Sequence, residues 1–423
     1  MTGSKWQWLL KQTTRKLWVR TSLFALLAVA TALISIVLNQ VITLPAAIYV
    51  SGELLDNILN ILATTMLAVT TFSLNIMVSA YSAASAEGTP RATKLLMEDS
   101  TTQNALATFI GSFLFSLVGI IALGMGAYHE QARIYLFIVT MAVIVMIVLT
   151  LIRWIQHLSV LGRVSETTSN VEQALLNAIQ KRGEEPWLGA NPWSNPKHKP
   201  RSSKPICSKE IGYLQHIDML HLNNLAESHQ CTIYIDRQPG SFVYMGQPLA
   251  WICGELEKDS DITAAFTIRT ERSFDQDPRF GLVVLAEIAS RALSPAVNDS
   301  GTAIDVIGRS VRALAQWGTL LDQSPRKVQY PNVFVPALSC QDLFEDIFLP
   351  IAHDGAGQIQ VQIRLQKALV ALATMHPERF YSSALKLSAK ALELAVAQHY
   401  TEDEKHQLSH LAHQISPHRR QSS

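Results

Sequence analysis

The sequence predicts an α-helical membrane domain of four transmembrane helices, followed by a cytoplasmic α+β region. That region holds a small lipoyl-like, barrel-sandwich β module and a mostly helical C-terminal part. Three observations lead there. Charged residues make up 16% of the 423 positions, against about a quarter in soluble domains, and the deficit falls in the first 160. Four stretches within those positions are long and apolar enough to cross a bilayer. Beyond them, alternating apolar runs separated by glycine turns give way to helical periodicity. The expected division is 1–160 membrane domain, 161–205 helix and proline-rich linker, 206–256 β-rich module and 257–423 helical domain.

A spanning helix needs about 20 apolar residues, at about 1.5 Å each against roughly 30 Å of hydrocarbon. The four stretches run about 19–44, 58–80, 105–127 and 134–155. The first carries no acidic or basic residue between Thr21 and Ser51 and is too long for a removed signal peptide, so it reads as a retained anchor. Lys5, Lys11, Arg15, Lys16 and Arg20 precede it, Arg91 and Lys94 lie between the second and third spans, and Arg163 follows the fourth. Only Arg133 falls on the opposite side. The positive-inside bias therefore puts both termini in the cytoplasm, with the bacterial inner membrane as the expected setting.

In the second span Asn57, Asn60, Thr64, Thr71, Asn75 and Ser82 recur at three, four or seven residues, which is one helical face. Such a face either meets water or glues helices together. Asn60, Thr64, Thr71 and Asn75 are the pore-lining candidates, with Asn75 expected near mid-membrane. Gly111, Gly119, Gly124 and Gly126 mark the third span as a close-packing helix. Thr89 and Pro90 read as the cap and first turn of a short connecting helix.

The polar half opens with a helix to about Arg182. The stretch 184–204, with four prolines, Trp187 and Trp193, reads as an exposed loop whose tryptophans touch either the membrane surface or local structure. Gly212–Asp218 alternates as a strand, 219–228 is helical, and Cys231–Ile235 alternates again. Two glycine turns at Gly240 and Gly246 follow, the lipoyl-like feature. No lysine stands at the hairpin tip for covalent attachment, so no cofactor is expected.

The densest chemistry lies between Thr267 and Asp305. Residues 266–274 read as a strand presenting Arg269 and Glu271, with Arg272 beside the turn. Asp277 and Pro278 fit the cap and first position of a helix closing near Arg291, and Asn298, Asp299 and their neighbours cap a second helix. Arg269, Arg272, Asp275, Asp277, Asn298 and Asp299 are either an ion or ligand site or a set of caps and ion pairs. No nucleophile motif or phosphate loop accompanies them, so no catalytic residue is assigned and an enzyme is not expected. His406, His410 and His413, with Asp403 a turn earlier, have a spacing that can chelate zinc, though a solvated face explains it equally. The metal content is left open, and Arg364 reads as a surface residue.

Net charge is +1, which argues against a broad nucleic-acid surface. The four cysteines, Cys207, Cys231, Cys253 and Cys340, form neither a CxxC pair nor a disulfide framework.

Gly212-Tyr213-Leu214-Gln215-His216-Ile217-Asp218, Gly240-Ser241-Phe242-Val243 with Gly246, Glu271 to Pro278, and Ala292 to Asp299 with Thr302-Ala303 follow four spans in that order. This order resembles the bacterial predicted membrane proteins grouped as domain of unknown function 2254. The resemblance covers nearly the whole chain and implies an integral membrane protein, but it brings no activity and no catalytic residue.

The residues lead first to an oligomeric channel or transport-like protein with a cytoplasmic vestibule or sensing domain. Its partners would be the lipid bilayer, further copies of itself and a small ion or ligand, and no nucleic acid. The rival is a membrane-anchored scaffold or receptor whose cytoplasmic domain binds a partner or ligand.

Overall fold

The computed structural model describes residues 50–415, apart from positions 98, 127, 129, 256–258 and 324–326, together with isolated positions between 19 and 30. Most of the first expected span, 19–44, therefore lies outside the described residues. Two compact units emerge, divided between Thr167 and Thr168.

The earlier unit begins with α1 (Gly52–Glu87), which starts where the Ser51 hydroxyl accepts the Leu54 N–H at 3.1 Å. The Thr89 hydroxyl takes the N–H groups of Arg91 and Ala92 to start α2 (Pro90–Met97). That connector is held to α1 by the Tyr81 hydroxyl donating to the Leu96 carbonyl. Asp99 caps α3 (Ser100–Gly124), and α4 (Glu130–Leu158) completes the unit. Three segments, Gly52–Ala86, Ser100–Gly124 and Arg133–Leu158, are long and apolar enough to cross a membrane, matching the second to fourth expected spans.

Helices α1 and α4 pack through one face each, whereas α3 is buried all round over Ala105–Phe109. Leu55, Leu59, Leu62, Met66, Ser73, Met77, Ala80 and Ala84 of α1 are buried, and Gly119 of α3 leaves room for Leu59, whose methyl a Cβ would meet at 2.9 Å. Val145, Val148, Leu149, Ile152 and Ile155 of α4 stay exposed, an apolar surface suited to lipid.

The later unit begins within α5 (Val164–Glu184). Its strands are β1 (Ala190–Pro192), β2 (Lys204–Cys207), β3 (Gly212–Ile217), β4 (Thr232–Ile235), β5 (Phe242–Val243), β6 (Pro248–Cys253), β7 (Phe266–Arg269) and β8 (Tyr330–Val335), with α6 (Met219–Ser228) and the short α7 (Asp259–Thr263) among them. They form a five-stranded sheet ordered β1-β8-β4-β6-β2 and a three-stranded sheet ordered β5-β3-β7. Ile206, Leu222, Ile233, Ile235, Leu249, Ile252, Val333 and Val335 share one buried core.

This arrangement corrects the lipoyl-like expectation in one respect. The turn glycines are as read, with Gly240 at φ 94° and Gly246 at φ 80°, but residues 206–256 are not self-contained. Strand β8, about a hundred residues after β4, pairs parallel with both β4 and β1, so the sheet is mixed and draws strands from both flanks. The expected exposed linker contributes β1, and its Leu188, Ala190 and Trp193 are buried. Likewise β7 ends at Arg269 instead of running to Phe274.

The remainder is helical, as expected: α8 (Pro278–Ala292), α9 (Ser300–Asp322), α10 (Cys340–Asp354), α11 (Ile359–Met375), α12 (Pro377–Val396) and α13 (Glu402–His413). Their starts follow sequence signals. Asp277 with Pro278, Asp299 and Ser339 each cap a helix, and Thr401 with Glu404 completes a reciprocal capping box.

Candidate functional site

The outward face of α1 is continuous. Asn57, Asn60, Thr64, Ala68, Thr71, Asn75, Ser79 and Ser82 fall within one narrow stripe at 100° per residue, and every one is exposed. The four pore-lining candidates thus share a face directly opposite the packed one. Their local bonding differs. Thr64 and Thr71 hydroxyls donate to the Asn60 and Leu67 carbonyls at 2.9 and 3.0 Å, and the Asn60 amide donates to the Asp56 carbonyl and carboxylate. The Asn75 side chain has no hydrogen-bond partner among the described residues.

Asn75 lies close to a contact between α1 and α4. Two residues before it, Ser73 accepts the Trp154 indole N–H at 2.9 Å. Trp154 is one turn from His157, whose Nε2 lies 3.1 Å from Asp99 and 3.2 Å from the Thr102 hydroxyl, where α3 begins. Asn75 therefore stands near that rim, because α1 runs well past the start of α3. Gly119 faces Leu59, so seven residues further along each antiparallel helix Ser112 comes level with Met66. The middle of α3 thus comes level with Met66.

In the later unit the six ligand or ion-pair candidates separate into two groups. At the start of α8, Arg272 donates through Nε and Nη2 to Asp277 Oδ2 at 2.8 and 2.7 Å. Asp277, 2% exposed, also accepts the Phe280 N–H. The Arg272 guanidinium lies 5.1 Å from the Phe280 ring centre, and Gly240 closes over Asp277 with no room for a Cβ. Asp275 bonds to its neighbour Ser273, while Arg269 is exposed opposite Tyr213.

Asn298 and Asp299 lie at the other end of α8, about 20 Å away for a 15-residue helix. Asn298 holds φ 51° and accepts from Gln358 at 3.0 Å. Asp299 is an exposed cap, its carboxyl held below the usual range by hydrogen bonds from the Thr302 hydroxyl and N–H. Arg272 and Asp299 do not meet.

Partners that the sequence did not reveal complete this region. Arg279 bridges Asp342 and Asp346 of α10 at 2.6 to 2.9 Å. Arg182 of α5 is 3% exposed and donates to Gln238 at 2.5 Å. Burial lowers its guanidinium to about 10, against the pull of Asp277 and Glu185. Sequence separations above 50 hide all these pairs from local reading. His406, His410 and His413 are exposed on α13, Arg364 is exposed, and no three His, Cys, Asp or Glu side chains among the described residues are placed to hold a metal ion.

The family described as "Predicted membrane protein (DUF2254)" matches residues 14–371. The chain belongs to this family. Among curated proteins it is similar to uncharacterized proteins of Mycobacterium bovis and Mycobacterium tuberculosis, each 25% identical over 262 residues, which is 59% of this chain and 50% of theirs. The match thus spans about half the length of those relatives. No solved structure matches. Membership of this DUF2254 family makes the chain a predicted membrane protein of unknown function, in contact with lipid.

Proposed function

We propose that this protein is an oligomeric channel or transport-like protein of the bacterial inner membrane, with the α1 stripe facing a water-filled path between copies. The later unit serves as cytoplasmic vestibule or ligand sensor, and both termini are cytoplasmic. One observation carries the reading. The stripe from Asn57 to Ser82 is exposed along its whole length in a helix of membrane-spanning length, while the opposite face is fully packed. Hydrocarbon offers no partner to an asparagine amide or a hydroxyl, so water or another helix must cover it. The reading involves no catalytic step.

A second reading draws on Thr64 and Thr71. Because both hydroxyls donate back to their own helix, they can be buried against another helix at little cost, which suits an anchored receptor. Planar-bilayer conductance of the purified protein separates the two. Discrete currents altered by Asn75→Leu or Thr64→Leu support the path; silence across voltage, tension and lipid composition supports the receptor.

A further inference from the structure

The five-stranded sheet carries a row of rings on one face. Trp251 and Tyr234 are register partners, as are Tyr234 and Phe334, with the Tyr234 and Phe334 rings stacked at 4.8 Å. Trp193, leaving β1, is 7% exposed and meets Tyr234 edge-on at 5.4 Å.

Onto this platform comes an ammonium group. Lys199 Nζ lies 5.0 Å from the Trp193 ring centre and 5.3 Å from that of Trp251, inside the roughly 6 Å range of cation–π attraction. It also pairs with Asp236. That carboxylate is positioned independently, because Trp251 Nε1 donates to Asp236 Oδ1 at 3.0 Å and Arg237 lies 3.4 Å from Oδ2. Two indoles and one fixed carboxylate around a cation form an aromatic cage.

The occupant belongs to an exposed segment. Residues 194–199 are all exposed, and the segment's own turn, the His198 N–H to the Asn195 carbonyl, does not depend on the cage. Trp193, Trp251 and Asp236 are instead fixed by the sheet.

We propose that Trp193, Trp251 and Asp236 form a receptor for an alkylammonium group, which Lys199 of the same chain occupies as a displaceable plug. Ligands of this class have two sources, a soluble quaternary amine or a lipid headgroup. Both present a compact cation that the indole faces attract and the carboxylate neutralises. The inference is independent of whether α1 lines a path.

The test uses the full-length protein with tetramethylammonium as probe. In the parent, tetramethylammonium chloride should speed amine-reactive labelling of Lys199 several-fold over equimolar sodium chloride, read by peptide mapping, and leave other lysines unchanged. Lys199→Ala should give a saturable tryptophan fluorescence change at a tenfold or more lower tetramethylammonium concentration than the parent. Adding Trp251→Leu should remove that response. Choline in solution and phosphatidylcholine in nanodiscs, each tested on Lys199→Ala, then distinguish the two sources, and a response to either supports the receptor. Equal Lys199 labelling in the two salts would overturn it, even if Lys199→Ala did not fold. So would a Lys199→Ala protein that melts like the parent yet gives no saturable response; the lysine would then be only a staple for its loop.

Discussion

Trp154 of α4 donates its indole N–H to the Ser73 hydroxyl of α1 at 2.9 Å, and both side chains are almost fully buried. This bond fixes how far α4 stands along α1. Ser73→Ala strands a buried donor and should cost about 1 to 3 kcal/mol, read as a lowered melting midpoint in detergent. Trp154→Phe in the Ser73→Ala background should add less than it does alone, since the two positions share one interaction.

The same rim predicts an acid response. Burial pushes the Asp99 carboxyl up, but hydrogen bonds from His157 and Thr102 outweigh it and hold the group at about 2, below its ordinary 3.8. A carboxyl lowered in the folded state contributes stability above its unfolded value, and the contribution disappears as pH falls through the folded one. Thermal midpoints should therefore drop between about pH 4 and pH 2 in the parent, and Asp99→Asn should flatten that part of the curve.

Asp277 and Asp299 both cap helices, but only one is buried. Removing one partner of a buried pair costs about 3 to 5 kcal/mol, the expected loss for Asp277→Ala, whereas Asp299→Ala should lose about 1 kcal/mol as an exposed cap. Gly240→Ala should resemble Asp277→Ala. At φ 94° a side chain is strained, and the added Cβ would meet the Asp277 carboxylate. Denaturant midpoints of the single and double variants measure this coupling, and additive losses would argue against it.

Glu172 of α5 accepts from both Arg309 and Arg312 of α9 at 2.5 to 2.8 Å. Glu172→Ala should cost about 3 kcal/mol by leaving the half-buried Arg309 short of a partner. Asp305, the exposed partner of Arg309, should matter by about 1 kcal/mol or less when replaced with alanine. Urea denaturation checks the ratio.

The parts of this structure legible in the sequence are those written within about twenty residues. The three described spans, the Asp277-Pro278 and Asp299 caps, the turns at Gly240 and Gly246 and the single face shared by Asn60, Thr64, Thr71 and Asn75 all follow from periodicity and local chemistry. What escaped was set by long-range pairing. Strand β8 carries no hairpin signal because its partners are parallel, and the proline-rich stretch looked exposed because nothing nearby shows that Trp193 packs on Tyr234. The Arg182–Gln238 and Arg279–Asp346 pairs were hidden for the same reason. The level of Asn75 against α3 is not legible either, because it depends on how far α1 runs past the start of α3.

A conducting path between copies requires water at the α1 stripe, and cysteine accessibility in intact membranes reports on it. Thr64→Cys and Thr71→Cys should react with a water-soluble maleimide, while Val148→Cys and Ile152→Cys on the exposed apolar face of α4 stay protected by lipid. Peptide mapping separates these sites from the native cysteines. If Thr64→Cys and Thr71→Cys proved as unreactive as the α4 positions, the stripe would be a dry helix interface and the water-filled path would be wrong.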